Sequence, residues 1–597
     1  MKAECAFREG LSVNRKVKIV CTLGPASLNR ETLSAMIDAG LNVARLNFSH
    51  GTHESHFEAL KLVREIAAEK NSPVGIMLDT KGPEIRTTLL ENDQPVTLQQ
   101  SQTFELRPDD GSRGCSSWVG ITHATLAQEC KVGQDVFIDD GTLRLKIKEL
   151  RGDVIVCEVI VGGTLSNRKG INVPDAEISL PTLSDKDKDD LLWGVKNDVD
   201  FVAVSFVRNR DDVLAVRRVI EDAGGDMKII AKIESRKAVE RLEEIADVVD
   251  GMMVARGDLG VEIPTENVPL VQKEIIDICR SRGKATIVAT QMLDSMIRNP
   301  RPTRAEANDV ANAVLDGADA VMLSGESAAG KYPVLAVETM AKIVLKAQEG
   351  LTRWQRPYSI PTAENSVPDG VSMAAVEIAR KMKAAAIVSL THSGSTARMV
   401  SKYRPSSPII AVTPSAKCMR CMSLYWGVCP VAAPTAQTEE EAIKSAVAAT
   451  QAHGYAKEGD LLVVTAGLPL GITGTTNMLR VCTIGRMVVQ GLPVLPGVVT
   501  GRAFVADGEE SLEQIQKGDI LIAAHTDAHC VPYLDKISAL VTEEGGLTSH
   551  AAIVSLEAGI PCVVGAQGVV SALQTGQIIT VNSNNGAVYI GVVNAGA

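Results

Sequence analysis

The chain has 597 residues, of which 45% are hydrophobic, 22% charged and 3% aromatic, and its formal net charge is −11 at pH 7. This length predicts about three to five domains with an aliphatic core. The negative charge argues against a general binder of nucleic acids or anionic membranes, so an anionic ligand must be met by local cations or by metal.

Several features favour a cytoplasmic protein. No apolar run reaches the roughly 18 residues of a membrane-spanning helix. The first 16 residues lack the apolar core of a signal peptide. The 12 cysteines are scattered, unlike those of a disulfide-rich scaffold, which is typical of a reducing compartment.

The chain begins with alternating strand and helix patterns. VKIVCTL predicts a strand, and Asn29 is expected to cap a helix that stops at Gly40. Two more strands, Asn42 to Phe48 and Val74 to Leu78, are followed by polar residues. This pattern is typical of βα units.

The helical period disappears from about Thr87 to Pro181. Segments in this stretch alternate like strands and are joined by Asp140-Gly141 and Arg151-Gly152-Asp153 turns. The predicted strands are Asp135 to Ile138, Leu143 to Ile147 and Val154 to Val161. We expect a small inserted β domain.

The βα alternation then resumes, with strands near Phe201 to Ser205, Lys228 to Ile233, Met252 to Ala255, Thr286 to Ala289 and Ala320 to Leu323. Eight such units predict an α/β fold of the TIM (β/α)8 type, whose active site lies at the C-terminal strand ends. A doubly wound open sheet is the weaker alternative, because no dinucleotide glycine fingerprint follows the first strand.

Polar residues collect at every one of these strand ends. They are Arg45, Asn47, Ser49, Asp79, Thr80, Ser205, Lys232, Glu234, Arg256, Asp258, Thr290, Gln291, Ser324 and Glu326. Lys232 and Glu234 in MKIIAKIES share one side of their strand. Such a pair can hold a phosphoryl group beside a divalent metal, whereas the alternative is a solvated salt bridge.

Two further α/β units follow the barrel. The first runs from about Ser366 to Ile484, and Pro493 with Pro496 predicts a linker to the last unit. The predicted strands are Ala386 to Leu390, Pro408 to Val412 and Asp460 to Thr465, then Asp519 to Ala523, Ala539 to Thr542, Cys562 to Val564 and Ile578 to Val581.

Eight motifs occur in a fixed order over roughly Lys16 to Gly485: KIVCTLGPAS, ARLNFSHG, LDTKGPEIR, IAKIES, ARGDLGVE, ATQMLDSM, PTRAEANDVANAVLDGADAVMLSGESAAGKYP and THSGSTARMVSKYRP. They resemble the signatures of the pyruvate kinase family. The resemblance implies transfer of the phosphoryl group of phosphoenolpyruvate to ADP by a cytoplasmic homotetramer. It implies a barrel over 1–86 and 182–350, a β-domain lid over 87–181, and a regulatory α/β domain over 351–485.

The barrel residues also fit this chemistry by their own properties. Glu234 and Asp258 can give hard oxygen ligands to Mg²⁺ or Mn²⁺. Lys232 can neutralise the moving phosphoryl group and the enolate, as preorganised charge should. Arg45 would hold the substrate phosphate. The substrate carboxylate would meet the backbone N–H groups of Gly257 and Asp258 and the hydroxyl of Thr290.

Taken singly, these residues have simpler interpretations. Arg45 could be an ion pair at the barrel mouth, Asp258 a helix cap, and Thr290 an ordinary strand residue. Their joint placement at the C-terminal ends of different strands favours the catalytic interpretation.

The resemblance also implies sites for a monovalent cation and a nucleotide. Glu84 in KGPEIR resembles the potassium-dependent members of the family, in which a lysine does not replace the cation. The implied K⁺ ligands are Asn47, Ser49, Asp79 and Thr80, and the implied nucleotide residues are Asn47, His50, Arg86 and Lys186. Lys186 lies in SDKDKDD, which could equally be a solvated charge run.

Hydroxyl side chains in the third unit point to an effector site. Hydroxyls and backbone amides at a helix N-terminus bind anions, although plain capping is the alternative. In the pyruvate kinase family this loop binds the phosphate of an activator, so we expect a phosphorylated allosteric metabolite. The residues are Thr391, Ser393, Ser395 and Thr396.

Two features of the later chain allow other functions. Cys418, Cys421 and Cys429 could bind metal, but we interpret them as helix cysteines. The segment EEGGLTSHAAIVSLEAGIPCVVG, within 486–597, resembles the phosphohistidine swivel domain of phosphoenolpyruvate-utilising enzymes, with His550 at the carrier position and Leu556 where an arginine is usual. The alternatives are therefore a dikinase-like phosphotransferase using His550 and a non-catalytic metabolite sensor, while a structural or regulatory appendage is preferred.

Overall fold

The computed structural model describes residues 15–591 except 177, 354–365, 458, 470–471 and 473. The described residues form two compact units. The first unit holds the residues up to 353 together with 397–404 and 415–430. The second holds 366–396, 405–414 and the residues from 431 onward.

The strands, in chain order, are β1 (Lys18–Thr22), β2 (Val43–Asn47), β3 (Gly75–Asp79), β4 (Val96–Leu98), β5 (Thr103–Pro108), β6 (Trp118–Ile121), β7 (Asp135–Ile138), β8 (Leu143–Arg151), β9 (Val154–Val161), β10 (Gly163–Leu165), β11 (Ile171–Asn172), β12 (Phe201–Val204), β13 (Lys228–Ile233), β14 (Gly251–Ala255), β15 (Ala285–Ala289), β16 (Ala320–Leu323), β17 (Ala386–Leu390), β18 (Ile409–Thr413), β19 (Val428–Ala432), β20 (Leu461–Gly467), β21 (Thr476–Thr483), β22 (Arg486–Gln490), β23 (Leu492–Leu495), β24 (Val498–Val505), β25 (Asp519–Ala523), β26 (Ile537–Thr542), β27 (Cys562–Val564), β28 (Ile578–Asn582) and β29 (Ala587–Ile590).

The α-helices are α1 (Arg30–Ala39), α2 (His53–Glu69), α3 (Leu126–Glu129), α4 (Asp185–Lys196), α5 (Arg210–Asp222), α6 (Arg236–Val239), α7 (Leu242–Val248), α8 (Arg256–Glu262), α9 (Val268–Ser281), α10 (Arg304–Asp316), α11 (Gly325–Ala328), α12 (Pro333–Arg353), α13 (Val367–Met382), α14 (Ser395–Lys402), α15 (Ala416–Met422), α16 (Glu439–Ala452), α17 (His550–Ala558) and α18 (Val569–Ala572). No helix in the described part of the chain is long and apolar enough to cross a membrane.

Eight parallel strands of the first unit close into a barrel in the order β1-β16-β15-β14-β13-β12-β3-β2, which confirms the predicted TIM-type fold. Most of these strands are buried along their whole length, as expected when helices cover a parallel sheet. The predicted cap is also confirmed, since the Asn29 side chain accepts a hydrogen bond from Thr32 N. Gly40 ends the same helix at φ +114°, a conformation that favours glycine.

The predicted inserted β domain is present between β3 and β12. Its main sheet has six strands in the order β11-β7-β8-β9-β5-β6, and its core is aliphatic around Phe104. The predicted turn between β7 and β8 has positive φ at Asp139, Asp140 and Gly141. The insertion therefore has its own hydrophobic core.

The described chain after the barrel contains two further sheets, and they include the seven strands predicted for this region. One has five strands in the order β19-β18-β17-β20-β21, and the other has eight in the order β22-β29-β28-β24-β25-β26-β27-β23.

The predicted linker at Pro493 is wrong. Pro493 lies in β23 and is paired with Val563 of β27. Because β23 is the last strand in its sheet, a residue without an N–H is tolerated there. The eight-stranded sheet thus begins with β22, three residues after β21 ends.

Candidate active site

Four charged side chains of alternating sign lie at the C-terminal end of the barrel. Arg45 Nε donates to Asp79 Oδ2 at 2.6 Å, and Lys232 Nζ lies 3.3 Å from Asp79 Oδ1. Lys232 Nζ also lies 2.8 Å from Glu234 Oε1. The register of β2 and β3 pairs Asn47 with Asp79 and so brings Arg45 close to this carboxylate. The predicted residues of β2, β3 and β13 therefore meet.

Lys232 and Glu234 contact each other directly and form an ion pair. The pair is not the solvated salt bridge that the sequence allowed as the alternative, because the two side chains are only 13% and 1% exposed. Both are largely buried, and a buried charge requires a partner. Lys232 Nζ donates a further hydrogen bond to Ser205 Oγ at 2.9 Å, a contact that the sequence did not indicate.

The charges of this cluster stabilise one another. Burial alone raises the pKa of Asp79, but the positive charges of Arg45 and Lys232 outweigh it and lower the pKa below its ordinary value. Burial lowers the pKa of Lys232, and the carboxylates of Asp79 and Glu234 reverse this and raise it. Lys232 is therefore an ammonium ion at neutral pH.

Glu234 and Asp258 provide the carboxylates that a divalent cation would need. Glu234 is buried and accepts a hydrogen bond from Phe206 N at 2.7 Å through Oε2. Burial, followed by the negative charge of Glu234, raises the pKa of Asp258 to about 7. Both residues line a cavity of about 110 Å³, and Glu84 and Asp140 line the same cavity. The carboxylates of Glu234 and Asp258 are hard oxygen ligands of the kind that fits Mg²⁺ or Mn²⁺.

Thr290 follows β15 with its backbone at φ +68°, which is strained for a β-branched residue. Its Oγ1 accepts from Gly257 N at 2.9 Å and donates to Ala289 O at 2.6 Å. Arg256 donates to Thr290 O at 2.7 Å and to Asp309 Oδ1 at 2.7 Å. The Gly257 N–H that we expected to face the substrate carboxylate is thus bonded to Thr290, and Arg256 holds the strained segment.

The residues predicted to bind K⁺ lie at the ends of β2 and β3. Asn47 Oδ1 accepts from Ser49 N at 3.1 Å. Thr80 is buried, and its Oγ1 accepts from Ser205 N at 3.1 Å. Asp79 is shared with Arg45 and Lys232, as described above. Glu84 forms an ion pair with Arg86 at 2.6 Å.

The predicted nucleotide residues differ in how firmly they are held. His50 is exposed. Arg86 donates to Arg168 O of the inserted domain at 2.7 Å. Lys186 Nζ donates to Asp190 Oδ2 at 2.6 Å and to Phe48 O at 3.0 Å. The segment SDKDKDD is therefore not a uniformly solvated charge run, because Asp190 in it is buried.

The predicted effector residues line one cavity of about 290 Å³ in the second unit; they are Thr391, Ser393, Ser395 and Thr396. The loop is ordered by its own hydroxyls, since Gly394 N donates to Thr391 Oγ1 at 2.9 Å. Thr396 Oγ1 lies 2.9 Å from Thr476 Oγ1.

The cysteines and the predicted carrier histidine take ordinary positions. Cys418 and Cys421 are buried on α15, but Cys429 lies on strand β19, which corrects the expectation that all three are helix cysteines.

His550 is the first residue of α17, and its Nδ1 lies 3.1 Å from Thr526 Oγ1. Leu556 lies on the same helix and is exposed.

Comparisons with known families cover most of the chain. Residues 14–337 match the family described as pyruvate kinase, barrel domain, and residues 369–482 match pyruvate kinase, alpha/beta domain. Residues 515–586 match the PEP-utilising enzyme, mobile domain.

Individual relatives align over nearly their whole length. The pyruvate kinase of Staphylococcus epidermidis is 44% identical over 585 residues, covering 97% of this chain and 100% of the relative. Those of Geobacillus stearothermophilus and Bacillus licheniformis are each 45% identical, covering 97% of this chain and 99% of the relative.

Proposed function

Because the chain belongs to the pyruvate kinase family and transfers the phosphoryl group of phosphoenolpyruvate to ADP, we propose a role in that reaction for each cluster described above. The observation that carries the proposal is the alternating series Arg45, Asp79, Lys232 and Glu234 at the barrel mouth. It supplies two fixed cations for an anionic substrate in a protein of net charge −11.

The substrate is held from two sides. Arg45 binds the phosphate of phosphoenolpyruvate, and Lys232 neutralises both the phosphoryl group in transfer and the enolate that remains. Phosphoryl transfer depends on positioning and charge stabilisation, so a buried ammonium fixed by two carboxylates suits this role. The substrate carboxylate contacts the Thr290 hydroxyl and the backbone of Gly257 and Asp258. Binding requires Thr290 and Gly257 to exchange their mutual hydrogen bond for one with substrate.

Glu234 and Asp258 hold the divalent cation, Mg²⁺ or Mn²⁺. A cation bound there supplies positive charge to the phosphoryl oxygens. Burial and the charge of Glu234 raise the pKa of Asp258, which means that its negative charge is poorly stabilised. A bound cation would stabilise that charge, and this supports the assignment.

A monovalent cation and the nucleotide use the neighbouring strand ends. Asn47, Ser49, Asp79 and Thr80 provide oxygen ligands for K⁺, in keeping with a glutamate at position 84. Asn47, His50, Arg86 and Lys186 contact ADP. Of these four residues, Lys186 lines a cavity of about 120 Å³, which supports its part in the assignment.

The α/β domain that follows the barrel regulates the enzyme. A phosphorylated metabolite binds the loop with Thr391, Ser393, Ser395 and Thr396, which lines its own cavity. The enzyme is a cytoplasmic homotetramer that binds neither nucleic acid nor membrane. The barrel comprises 1–86 and 182–350, and the lid comprises 87–181. The regulatory domain comprises 351–485. The last domain, 486–597, is an appendage, because direct transfer to ADP needs no carrier at His550.

One assay tests the assignment. Pyruvate formation from phosphoenolpyruvate and ADP is measured with Mg²⁺, with and without K⁺. The proposal expects activity that requires both cations. An inactive parent in full buffer would contradict the function, and activity independent of K⁺ would contradict the K⁺ site alone.

A further inference from the structure

Helix α4 begins in a run of charged residues, yet two of its carboxylates are buried. Asp187 and Asp190 are 0% and 1% exposed, whereas Asp185 is fully exposed. A fully buried carboxylate is costly unless charged or polar partners satisfy it. Asp187 is satisfied by the helix start at Ser184 and by Gly82 N at 3.1 Å. Asp190 has different partners, which connect it to the nucleotide residues.

Each oxygen of Asp190 accepts one hydrogen bond from a charged or titratable side chain. Oδ2 accepts from Lys186 Nζ at 2.6 Å, and Oδ1 pairs with His53 Nε2 at 2.8 Å. A carboxylate only accepts, so the proton of this histidine contact is on Nε2. Asp190 therefore fixes two side chains at once.

The environment of Lys186 combines restraint with access. Its ammonium donates to Phe48 O at 3.0 Å and lies 5.8 Å from the centroid of the Phe48 ring. The Lys186 side chain is nevertheless 50% exposed and lines the cavity of about 120 Å³ described above. An ammonium has three donors, and these contacts use two of them. The third is available to a ligand.

The aromatic neighbours keep this arrangement rigid. The Phe48 ring stacks on His56 at 4.0 Å and lies 5.2 Å from Trp193, and His53 lies 5.8 Å from the same tryptophan. Asp190 and Lys186 are thus attached to a packed cluster on α2, α4 and the end of β2. A long side chain on an exposed helix would otherwise lose much rotamer freedom on binding.

We propose that Asp190 is a positioning residue for nucleotide binding: it holds the ammonium of Lys186 at the cavity, so that the phosphates of a nucleoside diphosphate meet a cation already in place. The inference rests on the proposed contact between Lys186 and ADP. Preorganisation of this kind lowers the entropic cost of binding. The negative charge of Asp190 also offsets part of the positive charge of Lys186. Preorganisation should strengthen the binding of ADP, whereas this charge compensation should weaken it.

Steady-state kinetics of the full-length enzyme separates these effects. Asp190→Asn keeps the size of the side chain but removes its charge, and we expect it to raise the KM for ADP about tenfold, with the KM for phosphoenolpyruvate changed less than about twofold. Lys186→Met should raise the KM for ADP as well, and the double variant should resemble Lys186→Met alone, because one contact mediates both effects. Asp185→Asn makes the same charge change on the exposed face of α4 and should leave both KM values unchanged.

The outcomes are distinguishable. If Lys186→Met raises the KM for ADP while Asp190→Asn leaves it unchanged or lowers it, positioning by Asp190 is wrong and the nucleotide role of Lys186 stands. If neither variant changes it, the proposed nucleotide role itself fails. An equal rise in both KM values with a lowered unfolding temperature would reduce Asp190 to a structural residue. If Asp190→Asn does not fold, Asp190→Glu keeps the charge and moves it by one methylene; it should raise the KM for ADP about threefold, and an unchanged KM overturns the inference.

Discussion

Lys232 and Glu234, two residues apart at the end of β13, form a direct ion pair with Nζ 2.8 Å from Oε1. Glu234 is almost fully buried, so Lys232 compensates its charge. Under the proposed assignment, a divalent cation on Glu234 would free the ammonium for the phosphoryl group. The pair would then link metal binding to the availability of Lys232.

The first prediction concerns this link. Glu234→Gln should raise the Mg²⁺ concentration for half-maximal activity more than about tenfold, because one charged ligand is lost. The measurement is a Mg²⁺ titration of initial rates. Glu240→Gln, on the exposed surface nearby, is the matched control. Equal Mg²⁺ requirements in the two variants would contradict the metal site.

A second prediction concerns the orientation of Arg45. Its NH1 donates to Thr22 Oγ1 at 2.8 Å, and Thr22 is buried. Thr22→Val removes this acceptor at similar volume and should raise the KM for phosphoenolpyruvate about tenfold. Thr286→Val, at the opposite end of the barrel, should not change it. The assignment of Arg45 to the substrate phosphate fails if the KM is the same in both variants.

A third prediction addresses the strained segment at Thr290. Arg256→Lys loses the forked contacts to the carbonyls of Ala289 and Thr290 and to Asp309. The backbone strain at Thr290, about 1–3 kcal/mol, is then less well compensated by hydrogen bonds from residue 256. We therefore expect kcat/KM for phosphoenolpyruvate to fall about 10- to 100-fold. Arg241→Lys, a half-exposed arginine, is the control. An unaltered kcat/KM in Arg256→Lys would show that the segment holds its conformation without the guanidinium.

A fourth prediction concerns stability. Arg404 and Asp319 are each 3% exposed and are joined by two contacts of 3.0 Å. Asp319→Asn leaves a buried guanidinium without its counter-charge and should cost about 3–5 kcal/mol in the free energy of local unfolding. Hydrogen exchange in β15 and β16 measures this. Asp294→Asn breaks a surface pair with Arg298 and should cost less than about 1 kcal/mol. Similar costs for the two variants would show that burial does not make the pair of Arg404 and Asp319 more important for stability.

The barrel and the placement of polar residues at its strand ends could be predicted because their signals are local. Each barrel strand is a short apolar run followed by polar residues, and such runs set both the strand and the end that carries the site. The cap at Asn29 and the stop at Gly40 are equally local, and the structure confirms both.

Other features depend on contacts that only the fold creates. In the sequence, Asp190 is one of several charged residues in SDKDKDD. Its contact with His53 exists only in the folded barrel. The left-handed backbone of Thr290 has no sequence signal, since β-branched residues avoid it. The linker predicted at Pro493 was wrong because the place of a strand at the edge of a sheet is a property of the whole sheet. Only that edge position makes a proline within a strand tolerable.

In the proposed function, the ammonium of Lys232 stabilises the phosphoryl group and enolate. The most direct measurement is kcat for pyruvate formation in Lys232→Met, compared with Lys228→Met at the other end of β13. Removing a preorganised charge from the transition state should lower kcat about 100- to 1,000-fold, whereas the control should retain parental activity. Undiminished kcat in a folded Lys232→Met enzyme would contradict this role of Lys232.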